Sequence, residues 1–185
     1  MAVTLLQAFE ATIKPNLTLN KKGSFFEIIE NNKGATNTYL RIGGCKGFGF
    51  SLDTDKGSHA WGFIVNAPLP GIVSVCDGIL VLNYKGKNYI IVLDLKSKNV
   101  SSKAIKQICS GAFLCDWLCK LFTLHKHINE SYEIIGLICK SRNSARKQGT
   151  RKKLNAEVNN KGSYPILTVS NPNTLHIADI LAELE

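Results

Sequence analysis

The sequence predicts an α/β fold: one domain with a central mixed β-sheet flanked by helices. Three observations carry that expectation. Two apolar β-runs, Ile72–Leu82 and Tyr89–Leu95, meet at the turn Lys85-Gly86. A long apolar helix follows from about Ser102 to Leu124, and a further β-run, Glu133–Cys139, comes after it. A hairpin, a crossover helix and another strand give a sheet with both antiparallel and parallel neighbours.

The remaining elements follow in order. Ala2 to Ile13 has apolar residues at 3, 5, 6, 9 and 13 and reads as a short amphipathic helix stopped by Pro15. Ser24–Glu30 and Thr38–Ile42 read as strands around the polar turn Asn31-Asn32-Lys33-Gly34. Gly43–Gly49 is glycine-rich, and Phe48–Leu52 extends a hairpin from it. Trp61–Val65 is another short strand, followed by a Pro68-Leu-Pro70-Gly loop. Beyond the core of about 72–139, Ser141–Gly162 is polar, basic and Asn-rich and reads as a loop. Tyr164–Val169 is a strand. Thr174 to Glu185 reads as a C-terminal amphipathic helix with Leu175, Ala178, Leu181 and Leu184 on one side.

Composition narrows the function classes. The chain has 185 residues, 44% hydrophobic and 20% charged, enough for a sizeable core in one domain. No stretch of about 18 apolar residues occurs, so no membrane partner is expected. Met1 to Glu10 carries no Lys or Arg before its short apolar run, unlike a signal peptide, so a cytoplasmic location is the default. Five of the six cysteines lie in apolar segments and no Cys-x-x-Cys occurs, so they read as small buried hydrophobes.

The net charge of +9 is unevenly placed. Lys140, Arg142, Arg146, Lys147, Arg151, Lys152 and Lys153 follow one another without an acidic residue. A second run, Lys85 to Lys106, holds six lysines against the single Asp94. Such patches attract polyanions, nucleic acid first among them. The aromatic residues follow strand periodicity and show no platform for single strands.

The hairpin carries the chemistry. A turn centred on Lys85-Gly86 pairs residues whose numbers sum to 171, so Leu82 faces Tyr89 and Asp77 faces Asp94. Residues directly opposite lie about 4.5–5.5 Å apart at Cβ. Lys96, two residues beyond Asp94, points to the same side. Two carboxylates placed so close are unfavourable unless a positive charge lies between them. Mg²⁺, which takes one or two carboxylates and keeps several waters, is the natural candidate. The residue types therefore point to phosphodiester hydrolysis, with Lys96 orienting water or offsetting charge on phosphorus.

These residues resemble the PD-(D/E)xK nuclease superfamily, the restriction-endonuclease-like fold. Asp77-Gly-Ile-Leu, a hairpin, Asp94-Leu-Lys96 and then Lys103–Gln107 opening a helix carry the resemblance, over roughly Ile72 to Cys139. It implies Asp77 and Asp94 as metal ligands, with the backbone carbonyl of Leu95 as a further one. It implies Lys96 as the catalytic lysine and Gln107 as its support. Cys76 stands where the family name has proline. An additional upstream acidic ligand is common in the family. Glu10 on the first helix is the first choice, and Glu27 and Glu30 read as strand residues. The implied function is a Mg²⁺-dependent endonuclease, with Mn²⁺ as a substitute and double-stranded DNA as partner, in restriction or phage defence. Lys103 and the basic residues from Lys140 to Lys153 would grip phosphates.

Weaker signals stand beside this. Gly43–Gly49 lacks the context of a phosphate loop, and Cys115 and Cys119 with His125 and His127 fit a core better than a zinc site. Two competing classes remain: a non-catalytic basic binder of nucleic acid or an acidic protein, and an assembly subunit or homodimer joined through the apolar helix or the C-terminal helix.

Overall fold

In a computed structural model of the protein, residues 2–30, 37–52, 74–97, 101–141, 164–170 and 172–184 are described, with the backbone alone of 156–159. The hairpin lies at the centre. Strands β5 (Gly78–Tyr84) and β6 (Lys87–Lys96) pair antiparallel from Gly78↔Leu93 to Tyr84↔Lys87, the register in which paired numbers sum to 171. Lys85 and Gly86 close the turn with φ of 49° and 81°. Positive φ at both positions gives the twist that two-residue hairpins favour. The strand begins later than the expected Ile72: residues 74–77 are not strand.

β6 is buried on both faces, as its unbroken Tyr-Ile-Ile-Val-Leu run requires. After it comes α2 (Ser102–Leu124), capped by the Ser101 hydroxyl, and then β7 (Tyr132–Lys140) parallel to β6. The main sheet continues with β9 (Ile166–Ser170), parallel to β7, and β8 (Ala156–Asn159), antiparallel to β9. On the other side, β4 (Lys46–Phe50) pairs antiparallel with β5. The order is β4-β5-β6-β7-β9-β8, a mixed sheet of six strands.

Two helices cover one face. α1 (Leu5–Thr12), opened by a Thr4–Gln7 capping box, and α2 pack against Ile79, Val81, Ile90, Val92, Ile134 and Ile138. Gly111 and Gly136 let α2 lie close. A Cβ at Gly111 would come within 2.8 Å of Cys76 Sγ and Val92 Cγ1, and one at Gly136 within 2.6 Å of Ile108 Cγ2.

The opposite face, where helices alone were expected, is covered by a second sheet together with the C-terminal helix Ile177–Ala182, whose Ile177, Ile180 and Leu181 join the same core. The second sheet contains β1 (Lys21–Lys22), β2 (Phe25–Ile29), β3 (Tyr39–Gly43) and β10 (Thr174–His176), in the order β1-β2-β3-β10. Phe26, Ile28, Leu40, Ile42 and Leu175 from this sheet pack on Leu80, Leu82, Ile91, Leu93, Leu137 and Leu167 from the first. The alternating burial of β2 and β3 is the mark of strands with one solvated face.

Three further expectations change. Phe48–Leu52 does not extend the preceding hairpin: Gly44, at φ 84°, turns the chain so that β4 joins the main sheet. Thr174–His176 is a strand parallel to β3, and only Ile177–Ala182 forms the last helix, α3. The stretch read as a loop, 141–162, includes strand β8. The expected strand Trp61–Val65 and the following loop lie outside the described residues. α2 is not buried all round: Phe113, Trp117 and Leu124 are exposed along one stripe. All six cysteines are free, and Cys76, Cys115, Cys119 and Cys139 are buried. Among the described residues no helix is long and apolar enough to cross a membrane.

Candidate metal centre

Strands β6, β7 and β9 end side by side, with Lys96, Lys140 and Ser170 in register at their carboxyl ends. This is the edge where open α/β sheets hold their ligands. Asp94 is one of the residues just inside it. Its parity with Ile90 and Val92 turns it toward α2, and it is completely buried. Asp77, 6% exposed, immediately precedes β5. Its amide donates to the Leu93 carbonyl at 3.0 Å, and its Oδ2 accepts the Leu95 amide at 2.5 Å. The Asp77 carboxyl thus closes the end of the hairpin ladder beside Asp94.

Lys96 Nζ lies 2.7 Å from Asp94 Oδ2. Apart from this ion pair, neither Asp94 oxygen, both of them buried, has a hydrogen-bond partner among the described residues. The only other such atom among the described side chains is Gln107 Oε1. Gln107 Nε2 meanwhile donates to the Val75 carbonyl at 2.8 Å, tying α2 to the segment that delivers Asp77. Buried polar groups are nearly always satisfied. Here all three unsatisfied atoms are acceptors, and all belong to residues singled out from the sequence.

Electrostatics agree. Burial, and then the neighbouring Asp94 charge, push the Asp77 carboxyl well above the ordinary carboxylate range, against the pull of the Leu95 amide and Lys96. Burial also raises Asp94, opposed by Lys96. The charge of Glu30 raises both aspartates. One ammonium does not neutralise this much negative charge away from water, so the pair retains protons that a bound cation would displace.

Of the proposed ligands and supports, the structure brings together Asp77, Asp94 and Lys96, with Leu95 between the last two and Gln107 anchored beside Asp77. Glu10 is exposed on α1. The upstream carboxylate whose field reaches the aspartates is Glu30, which follows β2. The sequence reads Glu30 as a strand residue; it instead lies just past the end of β2, and nothing local signals that this sheet docks under the hairpin. Asn37, just before β3, supports the proximity: its Nδ2 donates to the Cys139 carbonyl at 2.7 Å.

The basic residues divide. Lys140 neighbours Lys96 on the same side of the sheet, and Lys103 and Lys106 are exposed at the start of α2. Lys85 and Lys87 sit at the opposite end of the hairpin, about 30 Å away at the strand rise. The run Lys85 to Lys106 is therefore not one patch. Arg142, Arg146, Lys147, Arg151, Lys152 and Lys153 lie outside the described residues.

Among the described residues no group of three or more His, Cys, Asp or Glu side chains is placed to hold a metal. Cys115 and Cys119 are buried in the core, with burial raising their thiol pKa. A hydrated Mg²⁺ needs less than three such ligands: one or two carboxylates and the rest water. The buried Asp94 carboxylate, whose one described partner is the Lys96 ammonium, and the unpartnered Gln107 Oε1 suit that ligand chemistry. Comparison of the chain with models of known protein families, with curated proteins and with solved structures found no match.

Proposed function

We propose that the chain is a metal-dependent nuclease with a restriction-endonuclease-like core, hydrolysing phosphodiester bonds in nucleic acid as an endonuclease. DNA is the first substrate to test, and restriction or phage defence is the setting that the family resemblance implies. One observation carries the reading: two buried aspartates meet a lysine at the carboxyl ends of the parallel strands β6 and β7 of the mixed sheet, and among the described residues the buried side-chain acceptors without a hydrogen-bond partner are confined to that place.

In this reading Asp77, Asp94 and the Leu95 carbonyl hold Mg²⁺, or Mn²⁺ in its place. When bound, such an ion polarises the phosphodiester and lowers the pKa of a coordinated water. Lys96 supplies a fixed positive charge beside Asp94, oriented to hold the attacking water or to offset charge developing on phosphorus. Gln107 keeps the approach to Asp77 in place. Lys103 and Lys140 draw the polyanion to this edge.

Nicking of supercoiled plasmid tests it, with wild type, Asp94→Ala and Lys96→Ala compared in Mg²⁺, Mn²⁺ and EDTA. Metal-dependent cutting that both substitutions reduce by at least about a hundredfold is expected. A wild type that cuts neither plasmid, single-stranded DNA nor RNA in either metal overturns the reading and leaves the basic binder.

A further inference from the structure

The second sheet buries one face and presents the other to solvent. Its registers line up the outward side chains in rows. Lys22 pairs with Phe25, Phe25 lies opposite Gly43, and Gly43 pairs with His176. The next row places Glu27 against Arg41, and beyond it Ile29 pairs with Tyr39. Strand alternation therefore sends two aromatic rings, Phe25 and Tyr39, to the outside, while Phe26 goes to the core.

The rings are held in place. Phe25 lies over Gly43, where a Cβ would come within 2.6 Å of its ring, and it meets the His176 ring edge to face at 5.8 Å. The Tyr39 hydroxyl donates to Glu27 Oε1 at 2.5 Å, and the Arg41 guanidinium lies over the Tyr39 ring, 5.3 Å from its centroid. Arg41, whose side chain is 37% exposed, also pairs with Glu27 at 3.3 Å. The result is a fixed surface of two aromatic rings with the Arg41–Glu27 pair in the row between them and Lys22 and His176 beside Phe25.

This surface borders the edge that holds the candidate metal centre. Tyr39, at the start of β3, lies two residues beyond Asn37, whose side chain reaches the Cys139 carbonyl near the end of β7, and the charge of Glu30, just past β2, reaches the aspartates. Fixed aromatic rings with the Lys22 ammonium and the half-exposed Arg41 guanidinium beside them fit unpaired bases and their phosphates, because every base offers a π-face for stacking. A duplex keeps its bases stacked inside and offers the sheet only its backbone.

We propose that the outer face of the second sheet binds single-stranded nucleic acid, stacking bases on Phe25 and Tyr39 and directing the strand toward Asp77 and Asp94. This deepens the nuclease reading by naming an unpaired strand as the substrate class, and the direction of the strand rests on that reading. The stacking itself does not.

Binding is measured without metal, in EDTA, by fluorescence anisotropy. The probes are labelled oligodeoxythymidine and oligouridine of about fifteen nucleotides, and a duplex of equal length, spanning a typical single-strand site. Wild type is compared with Phe25→Leu and Tyr39→Leu, which keep apolar bulk but remove the ring, each checked by thermal unfolding. Single strands are expected to bind more tightly than duplex, and each substitution to weaken them about tenfold while leaving duplex binding unchanged. Equal binding of single strands by wild type and both folded variants overturns the platform, as does a preference for duplex. Plasmid nicking by a chain whose variants bind normally removes the platform and keeps the nuclease. Ring-dependent binding by a chain that cuts nothing keeps the platform and removes the nuclease.

Discussion

At the residue scale, the aspartate pair couples pH, metal and stability. Both carboxyls titrate above the ordinary range in the folded chain, so the folded state holds protons there that the unfolded state has released. Stability then falls as pH rises from about 4, the unfolded carboxylate pKa, through neutrality. Asp77→Asn removes one of the titrating groups. Without metal, its melting temperature is expected to exceed that of wild type by about 3–5 °C at pH 8 and to converge with it near pH 5. A scan of unfolding temperature against pH checks this; parallel curves refute it. Mg²⁺ is expected to raise the melting temperature of wild type more at pH 8 than at pH 6, because bound metal displaces protons, and not to raise that of Asp94→Ala. Differential scanning fluorimetry with and without EDTA decides it.

At the element scale, α2 sets the spacing of the site. Gly111 rests on Cys76 and Val92, one turn beyond Gln107. Gly→Ala in an open helix gains about 1 kcal/mol. At Gly111 the added methyl must push α2 from the sheet, and overpacking of this kind costs about 1–3 kcal/mol. Gly111→Ala is therefore expected to lower stability in chemical denaturation and to lower nicking activity as well, since the Gln107–Val75 bond shifts with the helix. A stabilised variant with full activity contradicts the packing argument. The extent of this helix was legible from its apolar run between Ser101 and the histidines. Which side it buries was not: hydrophobic residues occur nearly all round, and only docking on the sheet distinguishes Ile108 and Cys115, which are buried, from Phe113 and Trp117, which are exposed.

At the scale of the whole molecule, charge has a direction. The lysines at the two ends of the hairpin are near in sequence but about a strand length apart, roughly 30 Å. Exposed charges separated by more than about 8 Å are largely screened at physiological salt, so the far pair adds little at the site. Neutralising Lys103, Lys106 and Lys140 together is expected to weaken nucleic-acid binding and flatten its salt dependence by about 2–3 in slope, whereas Lys85→Gln with Lys87→Gln changes either by less than about 1. Affinity measured across a salt series separates the two sets, and equal effects from both refute the directional argument.

Local chemistry and parity determined much from the sequence alone. The Lys85-Gly86 turn fixes which residues face each other, and a period of two places Lys96 on the side of Asp94. The hairpin, its register, the following helix and the next strand are consequences of nearest-neighbour rules. The tertiary structure decided what no local rule reaches. It laid a second sheet, with the short α3 beside it, across one face of the first, because β2 and β3 bury only alternate residues and need an apolar surface to cover. It drew Thr174–His176 into that sheet, where the gap beside β3 outweighed a helical pattern. By docking the two sheets it set Glu30, rather than Glu10, within the field of the aspartates, and turned Phe25 and Tyr39 outward. Burial depends on which surfaces meet, and residues far apart in the chain meet only in the fold.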